Sequence, residues 1–133
     1  MFKEVEVGGK KIPMRATGRT PLYYKQVFHD DLLANIVSDG KSVTLIEAAL
    51  NPLAYIMAMD GSGADMSKIN EDTYGEWLEQ FEPFDLPVAG EEIFKVYLGN
   101  LDTESTAKKK SEAQNRARVK YTIIHTQVRS DGA

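Results

Sequence analysis

The chain has 133 residues, no cysteine and a formal net charge of −4. This length fits one domain with a substantial core, and the lack of cysteine excludes disulfides and thiolate metal sites. The N-terminus has no apolar run of the signal-peptide kind, and no stretch reaches the roughly 20 apolar residues of a membrane span. We therefore expect a soluble, intracellular protein.

Charge is unevenly distributed along the chain. Residues 1–107 contain 9 Lys and Arg against 18 Asp and Glu, a balance of −9, whereas residues 108–133 contain 7 against 2, a balance of +5. An acidic body followed by a basic tail predicts two regions with different roles.

The N-terminal third predicts a β-hairpin followed by a helix. Apolar and polar residues alternate over Phe2–Arg15 on both sides of Gly8-Gly9, a favoured hairpin turn. Thr20 and Pro21 then suit the N-cap and the first helical position. Helical apolar spacing continues from there to about Val37.

The most apolar segment runs from Ser42 to Met59, with apolar residues at helical spacing and Pro52 as an interruption. Two interpretations fit this pattern: one helix kinked near Ala48, or two helices of which Asn51 caps the second. We favour the kinked helix and expect it to be the central, most buried element.

Asn70 is the predicted N-cap of a short amphipathic helix, which Pro83 ends. Its apolar side is spaced at helical intervals and consists of Tyr74, Trp77, Leu78 and Phe81. A last core helix is predicted from Leu86 to Leu101. The fold class is therefore α+β, mainly α-helical, with an N-terminal β-hairpin and a small bundle of about four helices.

The globular domain is predicted to span residues 1–101. Residues 102–133 are predicted to form a polar, basic C-terminal tail. The sequence leaves open whether this tail is ordered or flexible. Within this tail, Val119–Val128 regains some alternation and is either a lone strand or an adhesive segment.

The sequence offers no convincing catalytic or metal-binding pattern. His29 adjoins Asp30 and Asp31, but neighbouring helical residues point in different directions and cannot easily converge on a metal. A partial match to a calcium loop between Asp60 and Glu71 lacks the Gly that its turn requires. We expect no catalytic residue, no metal and no cofactor.

A basic run in the tail permits an alternative function in nucleic-acid binding. It comprises Lys108, Lys109, Lys110, Arg116, Arg118 and Lys120. Such residues can contact phosphates, but no nucleic-acid module accompanies them and Tyr121 is their one close aromatic residue. A solvated or protein-contacting tail is the favoured interpretation.

Three segments together resemble one protein family. They are VGGKKIPMRATGRTPLYYKQVFHDDLL at Val7–Leu33, LAYIMAM at Leu53–Met59 and YGEWLEQFEPFD at Tyr74–Asp85. Their order and spacing resemble the tail assembly chaperones of long-tailed, siphovirus-like bacteriophages and prophages of Gram-positive bacteria. The likeness covers about residues 2–101.

The resemblance implies a small, mostly helical protein that is not an enzyme. Family members keep the long tape measure protein soluble in the host bacterial cytoplasm, act with the tail-tube protein and are absent from the mature virion. In many of them a frameshift adds a C-terminal extension. Self-association, and whether this chain has such a longer form, stay open, and a membrane or nucleic-acid partner is not expected.

The positions that match the family motifs are expected to be mostly core. They are Ala16, Thr17, Gly18, Pro21, Tyr23, Phe28, Leu32, Tyr55, Met57, Trp77, Leu78, Phe81 and Phe84. Methionine adapts to varied partners, so Met57, Met59 and Met66 are candidates for partner binding if exposed, with simple core filling by Met57 and Met59 as the alternative.

Two other function classes stay open at this point. One is a structural tail or connector protein that is retained in the virion. The other is a nucleic-acid-binding regulator that uses the basic tail.

Overall fold

A computed structural model describes the fold of residues 1–108 and 121–124, and side-chain burial for residues 1–99. The predicted fold class is confirmed: an N-terminal antiparallel hairpin precedes a mainly helical body, with five α-helices in the part of the chain described. None of the helices in these residues is long and apolar enough to span a membrane.

The hairpin consists of β1 (Phe2–Val7) and β2 (Lys10–Arg15), with Val7 opposite Lys10. Gly8 and Gly9 have φ angles of 58° and 82°, which a two-residue turn of this kind requires. A Cβ at Gly8 would also lie 2.6 Å from the Asp85 carboxyl carbon, so this turn packs closely against a later segment.

Helix α1 (Thr20–Phe28) is shorter than predicted, because it ends at His29 instead of continuing to Val37. His29 has a left-handed φ of 55°, and its N–H donates to the Lys25 carbonyl, which closes the helix. The Asp31 side chain then accepts from the Leu33 N–H and begins a short 3-10 turn. Strand β3 (Ile36–Ser38) follows that turn.

The kinked helix predicted over Ser42–Met59 is wrong, and so is the alternative of two helices. Strand β4 (Val43–Ile46) and a 3-10 turn precede helix α2 (Leu50–Gly61). Pro52 lies in the first turn of α2, where its missing N–H would have no partner within the helix. A short apolar run does not distinguish a buried strand from a helix by spacing alone.

A three-stranded sheet has the order β3-β4-β5. Strands β3 and β4 are antiparallel, whereas β5 (Tyr121–Ile124) is parallel to β4, with Val43 opposite Tyr121. The strand in the tail is therefore paired and not lone.

The predicted N-cap Asn70 is confirmed at the start of helix α3 (Glu71–Leu78). Asn70 Oδ1 accepts from the Thr73 N–H, and Thr73 Oγ1 accepts from the Asn70 N–H, each at 2.9 Å. This reciprocal pair is a capping box. The helix ends at Leu78 with Glu79 as its C-cap, so Pro83 is not the residue that ends it.

The single helix predicted from Leu86 to Leu101 is divided in two. Helix α4 (Asp85–Val88) is one turn long, and helix α5 (Gly90–Lys108) begins directly after Ala89. The domain boundary predicted after Leu101 falls within α5. The remaining basic residues at 109–120, and His125, lie outside the described residues.

Helix α2 is the most buried helix among the described elements, in agreement with the expected central role of this segment. Six consecutive residues, from Leu53 to Ala58, are buried. The core also includes side chains from the hairpin and from α5, among them Val5, Val7, Met14, Ile93, Phe94 and Val96. The body of the protein is thus built around α2.

Candidate partner-binding surface

Aromatic side chains from α1, α2, α3 and the turn after α3 form one continuous cluster, here called the aromatic cluster. Its ring-to-ring contacts connect Tyr24, Phe28, Tyr55, Tyr74, Trp77 and Phe81. The centroids of Phe28 and Tyr74 are 4.9 Å apart at an interplanar angle of 84°, and those of Trp77 and Phe81 are 4.9 Å apart at 71°. Such edge-to-face pairs stabilise by about 0.5–1.5 kcal/mol beyond simple burial.

Helical spacing places these rings side by side. Tyr24 and Phe28 are four residues apart on α1, and Tyr74 and Trp77 are three apart on α3. Tyr55 on α2 contacts rings from both neighbouring helices, since its centroid lies 6.4 Å from that of Phe28 and 5.6 Å from that of Trp77. The buried Tyr55 ring therefore connects α1 and α3.

A hydrogen bond fixes α3 against α2 at the polar end of Tyr55. Its hydroxyl bonds to Thr73 Oγ1, which also bonds to the Asn70 carbonyl at 2.9 Å. Burial raises the pKa of Tyr55, and the Thr73 hydrogen bond partly opposes that rise. The phenol is therefore neutral at physiological pH, and the helix cap and the helix contact share one threonine.

Burial also raises the pKa of Tyr24, to about 12, with the Asn35 hydrogen bond acting in the opposite direction. Asn35 Nδ2 donates to the Tyr24 hydroxyl at 3.3 Å and to the Asp30 carboxylate at 2.9 Å. The pKa of Tyr74 is raised by burial as well. These phenols are neutral near pH 7, and their rings pack within the aromatic cluster.

The structure divides the family-motif positions into three groups by exposure. Leu32, Tyr55 and Met57 are buried, as is Ala16. Partly buried positions are Thr17, Pro21, Tyr23, Phe28, Trp77, Leu78 and Phe81, while Gly18 and Phe84 are exposed. The motif residues are therefore mainly packing residues, as expected, with Phe84 as the large apolar exception.

Met57, Met59 and Met66 do not form an exposed surface. Met57 is fully buried within the run of buried residues on α2, and Met66 is buried where the chain approaches α1. Gln26 Nε2 donates to the Met66 carbonyl at 2.8 Å and secures that approach. Met59 is partly buried against the core. The exposure that partner binding by these methionines would require is therefore not met at Met57 and Met66.

Phe84 was expected in the core, but 76% of its surface is exposed, and Val88 is 82% exposed. The chain turns between α3 and α4, so α4 does not continue the apolar side of α3. Phe84, Pro87 and Val88 are spaced as i, i+3 and i+4 and share one side of the turn, while Leu86 is buried on the other. We name the three exposed residues the α4 strip.

A pocket of about 160 Å³ adjoins the α4 strip through Pro87. Its lining comes from the start of α2, the preceding 3-10 turn, α3 and α4, and comprises Glu47, Ala48, Leu50, Asn51, Pro52, Tyr74 and Pro87. Tyr74 belongs to this pocket and to the aromatic cluster. The pocket therefore adjoins the α4 strip at Pro87 and the aromatic cluster at Tyr74, and its mainly apolar lining also includes Glu47 and Asn51.

Sequence reasoning missed this surface because it treated Phe84 as core and did not consider Val88. The signal that could have found it is the i, i+3, i+4 spacing of Phe84, Pro87 and Val88 immediately after Pro83. The chain has already left α3 at Glu79, so apolar residues beyond Pro83 need not share the core face of that helix.

The polar candidates do not assemble into a reactive site. Asp30 and Asp31 use their carboxylates in local hydrogen bonds to Asn35 and to the Leu33 N–H, respectively. No cluster of three potential metal ligands occurs among the residues that the structure describes.

No protein-family model, curated protein sequence or solved structure matches this chain in the comparisons.

Proposed function

We propose that this protein is a tail assembly chaperone of a long-tailed phage or prophage of Gram-positive bacteria, and that it is not an enzyme. It binds the tape measure protein, keeps it soluble and helps the tail-tube protein to polymerise around it. The observation that carries this proposal is the order of the three motif segments, Val7–Leu33, Leu53–Met59 and Tyr74–Asp85.

The aromatic cluster supports the proposal, because it brings the three segments together. Phe28 comes from the first segment, Tyr55 from the second, and Tyr74 and Trp77 from the third. Motifs that are far apart in sequence thus meet in one packed unit. This is the behaviour expected of motifs that specify a common fold and not a catalytic site.

The proposed mechanism is protection of apolar surface until assembly. A long helical tape measure exposes apolar faces before the tube surrounds it, and such faces favour aggregation. The chaperone covers them with apolar surface of its helical body, while the −9 charge of residues 1–107 opposes self-aggregation. It acts in the host bacterial cytoplasm and leaves as the tube grows, so it is absent from the mature virion.

Co-expression tests the proposal directly. An otherwise insoluble tape measure fragment should become soluble with the chaperone, and the complex should persist in high salt because apolar burial survives screening. Two results would contradict it: insolubility along the whole tape measure, or complete dissociation at about 1 M salt, where the screening length is about 3 Å.

Two further measurements separate the alternatives. Mass spectrometry of purified virions should not detect the chain, whereas a structural tail or connector protein would be present. A gel shift at low salt should show no nucleic-acid complex, whereas a regulator that uses the basic tail would give a salt-sensitive shift.

A further inference from the structure

The α4 strip has the features of a contact surface. Phe84 and Val88 are among the most exposed large apolar side chains described, and they lie on one side of a single turn. Scattered exposed apolar residues are ordinary on protein surfaces, but contiguous ones often mark binding sites. Here Pro87 connects the strip to a concave pocket, so one partner could contact both.

The rigid attachment of α4 favours recognition by a preformed surface. Leu86 and Ala89 are buried beneath the strip, and the Asp85 carboxylate accepts from the Glu82 N–H at 2.8 Å. The hairpin turn at Gly8 lies directly against Asp85. The exposed side chains are thus held by a fixed backbone, which lowers the entropy lost on binding.

The surrounding charge determines what kind of partner fits. Residues 69–94 contain eight carboxylates and no lysine or arginine. Glu82 and Glu91 lie on either side of the strip in sequence, and both are exposed. Lysines from outside this segment approach it at two other residues. Lys3 and Lys95 pair with Glu92, at 3.4 Å and 3.8 Å. Lys10 Nζ donates to the Gln80 carbonyl at 3.1 Å and lies 5.7 Å from the Phe81 ring centroid.

We infer that the α4 strip and its adjoining pocket bind one amphipathic helix whose apolar face is flanked by lysine or arginine. Apolar side chains at i and i+3 or i+4 of that helix cover Phe84 and Val88, and its basic flanks face Glu82 and Glu91. We take this helix to be a segment of the tape measure protein. This identification of its source rests on the proposed function.

Two synthetic peptides test the partner chemistry with the full-length chain. Each has about 18 residues, long enough for appreciable helicity, and the same Leu face; one carries Lys and the other Glu at the flanking positions. Fluorescence anisotropy should show binding of the Lys peptide at least about tenfold tighter than of the Glu peptide. The preference should decrease as salt is raised. Equal affinities, or preference for the Glu peptide, would overturn the inference.

Matched variants test the surface itself. The double variant Phe84→Ser, Val88→Ser should weaken binding of the Lys peptide by about tenfold or more, since both side chains are lost from the proposed interface. The control Leu22→Ser, Leu33→Ser removes apolar side chains that are 66% and 57% exposed on α1 and the following turn. A similar loss of affinity for the Lys peptide in both double variants would show that the α4 strip is not a specific binding surface.

A variant that removes only surface charge can test the binding surface even if the strip variant fails to fold. Glu82→Gln with Glu91→Gln should reduce the preference for the Lys peptide and leave the helical circular dichroism unchanged, because both residues are exposed. An unchanged preference would overturn the assigned surface. Analytical ultracentrifugation adds another check: a dimer lost specifically in the strip variant would assign this surface to a second copy and overturn the helix proposal.

The experiments give different results if the assignment of the α4 strip is wrong and if the proposed chaperone function is wrong. If the wild-type chain and the strip variant solubilise the tape measure equally well, the chaperone function stands and the surface assignment is wrong. If neither solubilises it but the strip variant selectively loses the Lys peptide, the surface stands and the assigned partner is wrong.

Discussion

Replacement of Gly61 by alanine should destabilise the protein although alanine is the better helix former. Gly61 is the last residue of α2, and its backbone lies against β2. A Cβ there would collide with the Pro13 carbonyl oxygen and would lie 2.7 Å from the carbonyl carbon and 2.9 Å from Met14 Cα. These are backbone atoms, so the clash is not relieved by a change of rotamer.

The two opposing effects have different magnitudes. Alanine gains about 1 kcal/mol over glycine in a helix interior, and less at the last helical residue. Overpacking against fixed atoms costs about 1–3 kcal/mol. The hairpin and the central helix would have to separate by several tenths of an ångström, and Met14 is fully buried in that contact. We expect Gly61→Ala to lose about 1–2 kcal/mol of unfolding free energy.

Gly75→Ala is the matched control. Gly75 lies within α3 with no atom within 4 Å of its ideal Cβ, so the helix preference acts without a steric cost. This variant should gain about 0.5–1 kcal/mol. Urea denaturation followed by circular dichroism measures both changes. A Gly61→Ala protein as stable as the wild type would refute the close α2–β2 contact.

Trp77→Ala should lower the free energy of unfolding by about 2–3 kcal/mol, measured by urea denaturation. Loss of a fully buried aromatic residue costs about 3–5 kcal/mol, but Trp77 is only partly buried between Tyr55 and Phe81. A loss below about 1 kcal/mol would indicate that Trp77 has a binding role and not a packing role. Stability should also fall at alkaline pH, because the pKa of Tyr24 is about 12 in the folded state against 10.0 unfolded. This contribution to stability is fully present below pH 10 and is lost as the pH rises through the folded-state pKa, a loss of about 3 kcal/mol. Tyr24→Phe should remove this part of the pH dependence. An unchanged stability profile in that variant would contradict the assignment of the pH dependence to Tyr24.

Sequence alone predicts a structural feature correctly where that feature depends on interactions between residues close together in the chain. The Gly8-Gly9 turn depends on two adjacent φ angles, and the Asn70 cap depends on a residue three positions away. Both were predicted at the correct positions. Propensities and caps act over such short distances, so one sequence carries the relevant information.

Prediction was less successful where a distant contact decided the structure. Val43–Ile46 has apolar residues that continue at helical spacing into α2, but pairing with β3 and β5 makes this segment a strand. His29 adopts a left-handed conformation that only a few per cent of non-glycine residues show, so its sequence position alone did not predict the end of α1. The exposed position of Phe84 depends on how α4 packs, which helical spacing in α3 does not determine.

The spacing of Phe84, Pro87 and Val88 places them on one side of a turn, but it does not tell whether that side is buried or exposed. Phe84, Pro87 and Val88 look like ordinary core residues in one dimension, and their exposure becomes evident only after Leu86 and Ala89 are placed inside. The pocket needs residues from α2, α3 and α4 at once. By contrast, the excess of carboxylates over residues 69–94 was available from the sequence.

The parallel pairing of β4 with β5 has a consequence for the order of folding. Strand β4 can meet β3 soon after synthesis through a short connection, but its other neighbour begins at position 121. Closing so long an intervening chain costs entropy and is slower than closing a local hairpin. Until β5 arrives, one edge of Val43–Ile46 offers unpaired N–H and C=O groups to any other extended chain. The most vulnerable period for misassembly is therefore the interval between completion of the helical body and arrival of its last strand.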